Sequence, residues 1–390
     1  MAEKITLNPK ILKWARESAR MSIEIASAKI NVPPSRLESW ESGTDKPTLR
    51  QAETLARGYK RPFALFFLPD IPRDFKVLQD FRRPDSLPLS TASIFIIREI
   101  QQKQAWIHDV YQENGEEILK FIGLFTIKDN PAKVAESILS TIGITPSNYS
   151  EANILKEWIL KSENKGIFIS RTSYIHSKLL LDSKEIQGFS IADPLAPFIF
   201  VNSQDWEAPQ LFTLVHELAH LWIAETGISN DANLEVEEIT NTHPIEFFCN
   251  QVAAEVLMPK KIMVSLDEKT FISADEIFKA SKKLGVSSFA FLVRAYYLKL
   301  ISFDKYKKLK VEAEKDFQIF LKKEELRKEK QKEKNGGPSP ILLALNRNGR
   351  LFTRLVLDSY NNGFVQPSQA YLLLKVKINN FTKLQTSLHN

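Results

Sequence analysis

The chain has 390 residues, 43% of them apolar, and a formal net charge of +6, enough for two or three domains with sizeable cores. Its single cysteine, Cys249, excludes an intramolecular disulfide framework and favours a reducing compartment. The N-terminal MAEKITLNPK has no apolar run behind a basic start. The longest apolar run near it, 63–68, falls far short of the about 18 residues that span a bilayer. A cytoplasmic protein, neither exported nor membrane-inserted, is expected.

Residues 1–83 hold 16 Lys/Arg and 10 Asp/Glu, so this first fifth alone carries the +6, a placement that suits nucleic acid. Residues 1–70 read as short helices. Pro9 begins one, Ser22 caps the next, Pro33-Pro34 precede a third, Gly43 ends it, and Pro47-Thr48 lead into a fourth. Pro72, Pro84 and Pro88 mark 71–90 as a linker. Residues 91–163 are largely helical, with Ile96, Ile100 and Trp106 at helical spacing.

The period then changes. Residues 166–170, 186–191 and 198–201 are short, apolar and β-branched, as strands of a small sheet are. Pro209 is expected to open a helix running to about Glu225, and Pro244 another that stops before Pro259, with further helices to about 302. Residues 303–339 comprise a charged helix and a linker at Gly336-Gly337-Pro338. The interspersed signs of 305–334 suit a solvated helix better than a nucleic-acid arm. Residues 340–390 read as a small helical domain with a turn at Gly363.

Within the 209–225 helix lies HELAH, a match to H-E-x-x-H. Residues four apart on a helix share a face, so His216 and His220 can direct two imidazole nitrogens at one zinc ion. Glu217 is placed to serve as general base, and then as acid toward a leaving amine. Leu211, Leu214, Val215, Leu218 and Leu221 give this helix an apolar stripe, which would pack it and leave the site face open.

A catalytic zinc site needs a third protein ligand and an open fourth position. Downstream candidates are Glu225, Glu235, Glu237, Glu238, His243 and Glu246. With His243 as cap and Pro244 at the first helical position, Glu246 also falls where a capping-box glutamate belongs. Asn250, one turn later on the same face, favours ligation, because its amide oxygen could accept the remaining ring N–H of a ligand histidine. Cys249 is either a thiolate ligand or, the better reading, a small buried filler. His243 also rivals Tyr174 and His176 as an oxyanion donor.

FTLVHELAHLW, followed by ExxCNQVAAEVLMP and preceded by GFSIADPLAPFIFVN, resembles the ImmA/IrrE family of metallopeptidases over roughly residues 150–300. The resemblance implies a zincin-like fold, His216, His220 and Glu246 as ligands to Zn2+, and Glu217 as the catalyst. It also implies a protein substrate, a repressor or antitoxin. The 340–390 tail is similar to the helical extension of fused members.

Residues 9–68 resemble the XRE-type helix-turn-helix through Ala26, Val32, Leu37, Trp40, Glu41, Gly43, Pro47, Thr48, Leu55 and Ala56. The resemblance implies a groove-entering third helix, about 34–41, presenting Ser35, Arg36 and Ser39, with Arg50 reaching phosphate. Glu38 opposes this, being like-charged with phosphate. A surface that recruits a repressor of similar fold is the competing role.

The expected fold is α+β and predominantly helical: a five-helix helix-turn-helix domain at 1–70, the 71–90 linker, a peptidase domain with a small sheet at 91–302, the charged segment 303–339 and the helical 340–390. The expected function is that of a regulatory zinc peptidase acting on a protein at double-stranded DNA, its oligomeric state left open, a dimer included. The alternatives are a DNA-binding regulator or antitoxin with a structural or silent metal site, and a zinc hydrolase of small amides.

Overall fold

The computed structural model describes residues 3–72, 78–81, 88–149, 153–176, 179–229, 243–333 and 339–388, with side chains of 324–333 left out of the description. The chain divides into two compact units. One is Met1–Val77 with Leu87–Gln101 and Tyr174–Leu180; the other is Leu78–Ser86 with Gln102–Ser173 and Leu181–Asn390.

The first unit opens with α1 (Pro9–Ser18), α2 (Ile23–Ile30), α3 (Pro34–Glu41) and α4 (Leu49–Gly58). The fifth helix of the expected domain is a 3-10 turn, Phe63–Phe67. The local signals act as their chemistry dictates. The Ser22 side chain accepts the Ile25 N–H, and Thr48 with Gln51 forms a reciprocal capping box. Asn31 turns left-handed between α2 and α3, a conformation its short polar side chain tolerates. Leu37 and Trp40 are buried under α3. Arg16 of α1 makes a bidentate bond to Glu41 at 2.8 and 2.9 Å, so Glu41 belongs to the frame rather than to a groove-facing surface. The short antiparallel pair β3 (Tyr174–His176) and β4 (Leu179–Leu180) also falls in this unit.

The second unit is built on a mixed five-stranded sheet. Its strands are β1 (Gln79–Asp80), β2 (Phe168–Thr172), β5 (Gly188–Ile191), β6 (Phe198–Asn202) and β7 (Gly227–Ser229), in the order β1-β7-β5-β6-β2. β5 is antiparallel to both neighbours, whereas the outer pairs β1–β7 and β2–β6 are parallel. Three of these strands follow the sequence reading within two residues. β7 and β1 do not, and β1 lies in the segment expected to be linker.

Helix α8 (Glu207–Trp222) packs on β5 and β6, and α9 (Pro244–Leu257) packs on α8. α6 (Pro131–Ile142) and α7 (Ile154–Glu163) complete the layer against α8. α8 starts two residues before Pro209, which occupies a first-turn position where its missing N–H costs nothing. It stops at Trp222 rather than near Glu225, because Ala224 turns left-handed (φ 54°) just before β7. α5 (Thr91–Asn114) is divided between the two units. α10 (Lys260–Val264), α11 (Ala274–Leu284), α12 (Ser288–Tyr297) and the long charged α13 (Phe303–Glu333) follow.

The C-terminal helices α14 (Pro340–Asn348), α15 (Arg350–Asn361), α16 (Pro367–Leu374) and α17 (Phe381–Leu388) do not stand apart: α14 and α15 pack on β2. Buried Asn348 accepts from Lys103 Nζ at 2.9 Å and donates to the Leu374 carbonyl at 2.8 Å. Gly349 is held at φ +79°, and a Cβ there would lie 2.2 Å from the Ile169 carbonyl oxygen.

Glu163, at the end of α7, accepts the Leu351 N–H at 3.1 Å. Burial pushes its carboxyl up to about 7, against the backbone donors Leu351 and Arg350. The folded protein therefore holds this proton more tightly than the unfolded chain. Stability is highest below the unfolded value and falls as pH rises from about 4.5 to about 7, by roughly 3 kcal/mol. Denaturant titrations across that window should show the loss in the unaltered protein and a flatter profile in Glu163→Gln.

Candidate metal centre

The apolar run of α8 buries every residue from Gln210 to Trp222. A helix this enclosed holds its side chains in fixed rotamers. His216 and His220, one turn apart, bring their Nε2 atoms to 3.1 Å from each other. Opposite them stands Glu246, third residue of α9. His243 accepts the Ile245 N–H at 3.3 Å and Pro244 occupies the first helical position. With the capping done by His243, the Glu246 carboxylate points inward. Its Oε2 lies 3.0 Å from His216 Nε2 and its Oε1 3.1 Å from His220 Nε2.

Among the described residues, these three form the group of His, Cys, Asp and Glu whose ligand atoms converge, and all three are buried. The Glu246 oxygens make no well-formed hydrogen bond despite their complete burial. Two imidazoles and one carboxylate are a donor set of catalytic zinc sites. Ligand atoms about 2.05 Å from a tetrahedral ion stand about 3.3 Å apart, so the triangle fits such an ion with a small expansion.

Asn250, one turn along α9, places Oδ1 2.9 Å from His216 Nδ1, which fixes that ring with Nε2 facing the triangle. Burial pushes His216 down, but the Glu246 carboxylate, with the Glu217 charge and the Asn250 bond, lifts it to about 9. Conversely, burial raises Glu246 while the two imidazoles hold it at about 2. These are two views of one interaction, not two contributions.

Glu217 is fully buried between the sheet and the site helix. A Cβ on Gly188 of β5 would lie 3.0 Å from Glu217 Oε1 and 2.6 Å from Thr213 Cγ2, so the carboxylate rests on bare backbone. A glycine inside a strand pattern signals such close approach, and this one was readable in GFSI.

The other sequence candidates fall elsewhere. Glu225 lies beyond the end of α8, outside the converging group. Glu235, Glu237 and Glu238 lie outside the described residues. Cys249 is a buried thiol pushed well up by burial, and it does not join the group. Tyr174 and His176 belong to the other unit. The His243 ring lies 5.3 Å from that of Phe81, tilted by 39°, and the Phe81 ring also lies 5.5 Å from that of His220 and nearly parallel to it. No sequence signal marks Phe81, which follows a two-residue strand in a proline-rich stretch.

A cavity of about 1600 Å³ opens beside α8 and α9, lined among others by Trp206, Phe212, Phe247, Asn250 and Phe317. In the first unit, Ser35, Arg36 and Arg50 are exposed, whereas Ser39 is half-buried and its hydroxyl donates to the Arg36 carbonyl at 2.7 Å. Among the described residues no helix is long and apolar enough to cross a membrane.

Residues 163–296 match the family described as the IrrE N-terminal-like domain, of the M78 peptidases, and residues 12–66 match a helix-turn-helix family. No curated protein matches the chain.

Proposed function

Because this chain joins a DNA-binding helix-turn-helix of the XRE type to an ImmA/IrrE-type metallopeptidase domain, we propose that it is a regulatory zinc peptidase that hydrolyses a peptide bond in a protein partner at DNA. The observation that carries the reading is the buried convergence of His216, His220 and Glu246 at 3.0–3.1 Å, with Glu217 next to the first ligand. His216, His220 and Glu246 would hold the ion, and Asn250 would orient His216. A bound zinc ion supplies Lewis acidity toward water and the scissile carbonyl at neutral pH. Glu217 takes the proton of the attacking water on its carboxylate and returns it to the leaving amine, as a general base that becomes a general acid.

The neighbouring cavity, about 1600 Å³, is lined by Asn250 but not by His216, Glu217, His220 or Glu246, so a polypeptide rather than a small amide is proposed on the family resemblance alone. A repressor or antitoxin is the substrate class, on the family resemblance. Ser35, Arg36 and Ser39 of α3 would face the DNA groove, with Arg50 on phosphate. The back-bonded hydroxyl of Ser39 makes Arg36 the principal reader. The lone cysteine supports a cytoplasmic setting.

Metal analysis of the purified full-length protein should find about one zinc per chain. Incubation with repressor-type proteins, followed by mass spectrometry, should find one discrete cleavage. Arg36→Ala and Arg50→Ala should weaken duplex binding without changing that cleavage in solution. A protein that holds no metal, or holds it and cuts none of these partners, would leave only the gene-control role.

A further inference from the structure

We infer that Phe81, which lies outside the peptidase-family match, is the positioning residue for His220. The inference rests on His220 being a metal ligand. A ligating histidine normally anchors its second ring nitrogen on a hydrogen-bond partner, which fixes the tautomer and aims the lone pair. His216 has that partner in Asn250. His220 does not: its Nδ1 is buried and has no hydrogen-bond partner among the described residues.

What His220 has instead is a flat wall. The Phe81 ring lies 5.5 Å from it, centroid to centroid, at an interplanar angle of 15°. The His216 ring bounds it at 4.9 Å and 57°. Rotation about the last torsion of an imidazole is soft, and such rotation swings Nε2 off the triangle. A ring stacked in parallel opposes that rotation sterically, which a nondescript apolar neighbour of the same volume does less well.

The placement of Phe81 is itself constructed. Its side chain is 1% exposed. Its backbone N–H donates to the Ile228 carbonyl at 3.1 Å, extending the parallel β1–β7 pairing by one residue. Gly227 makes the space: a Cβ there would lie 2.2 Å from Phe81 Cε2 and 2.8 Å from the Gln79 carbonyl oxygen. The matched peptidase region begins at residue 163. The metal centre is thus completed by a side chain supplied from the segment that follows the helix-turn-helix match, which ends at residue 66.

The test uses the metal-free full-length protein, titrated with zinc against a competing chelator, and with cobalt(II) as a spectroscopic reporter of ligand geometry. Phe81→Leu keeps apolar bulk without the flat face. Phe81→Tyr keeps the face. Gly227→Ala leaves Phe81 in the chain but drives its ring away. Phe81→Leu and Gly227→Ala should weaken zinc binding by about tenfold, the low end for loss of an orienting partner, and change the cobalt visible spectrum. Phe81→Tyr should bind like the unaltered protein. If the unaltered protein binds no zinc, the ligand assignment itself is wrong. If it binds zinc and Phe81→Leu binds as tightly, or if Phe81→Tyr loses as much as Phe81→Leu, the role given to Phe81 is wrong and the ligand assignment stands.

Discussion

Glu217→Gln is expected to reduce peptide hydrolysis by about 10²–10⁴-fold, the usual contribution of a positioned proton-transfer group, with zinc content and melting temperature unchanged. The amide has the volume of the carboxylate, so the contact with the bare backbone at Gly188 is kept and packing is not disturbed. What is lost is basicity: a neutral amide cannot take the proton of an attacking water. Turnover of a cleavable protein partner, measured with metal analysis on the same sample, checks this. Undiminished cleavage by the zinc-loaded variant would remove Glu217 from the mechanism.

Glu246→Ala should act on both metal and stability. It would remove one of the three proposed ligands, so zinc affinity should fall by more than the roughly hundredfold seen when an outer-shell partner is lost. Without metal, the carboxylate also holds a proton on buried His216, raising it from 6.5 to about 9. A histidine raised in the folded state contributes stability that is fully present below 6.5 and is lost as pH climbs through about 9. The size is roughly 3 kcal/mol at 1.36 kcal/mol per unit. In the variant, burial without the counter-charge lowers His216, and the imidazole can escape the penalty by staying neutral. Metal-free unaltered protein should therefore lose stability between pH 6.5 and 9, whereas Glu246→Ala should be less stable at pH 6.5 and nearly level across that window. Zinc must displace the His216 proton, so apparent affinity in the unaltered protein should rise about tenfold per pH unit up to about 9. Denaturant melts and chelator competition at several pH values read both.

The parts of the site legible in the sequence are those set by short-range helix geometry. His216 and His220 face one way because four residues make about one turn, and Asn250 follows Glu246 by the same spacing. Sequence spacing could not decide between capping and ligation for Glu246. Asn250 favoured ligation, and the structure agrees: the Glu246 oxygens face the two imidazoles at 3.0 and 3.1 Å. Glu225 was misplaced because nothing local announces a left-handed Ala224. Phe81 and the β1–β7 pair were illegible for a different reason. A parallel pairing between residues 79 and 227 is a long-range event, and a two-residue strand carries no period. The first four helices of the helix-turn-helix were legible because their caps and turns are punctuated by Pro, Ser, Thr, Asn and Gly, whereas the expected fifth is a 3-10 turn.

The docking of α14 and α15 on β2 has a practical corollary. β2 is the last strand of its sheet, and its outer backbone is covered where Ser170 Oγ donates to the Arg347 carbonyl and Gly349 closes on Ile169. A chain cut before Pro340 would uncover the outer edge of β2, Phe168–Thr172, and an uncovered strand edge is a template for edge-to-edge association. Expression of the region that matches the peptidase family without these helices is thus expected to yield self-associating material, a failure that the terminal helices would guard the sheet against.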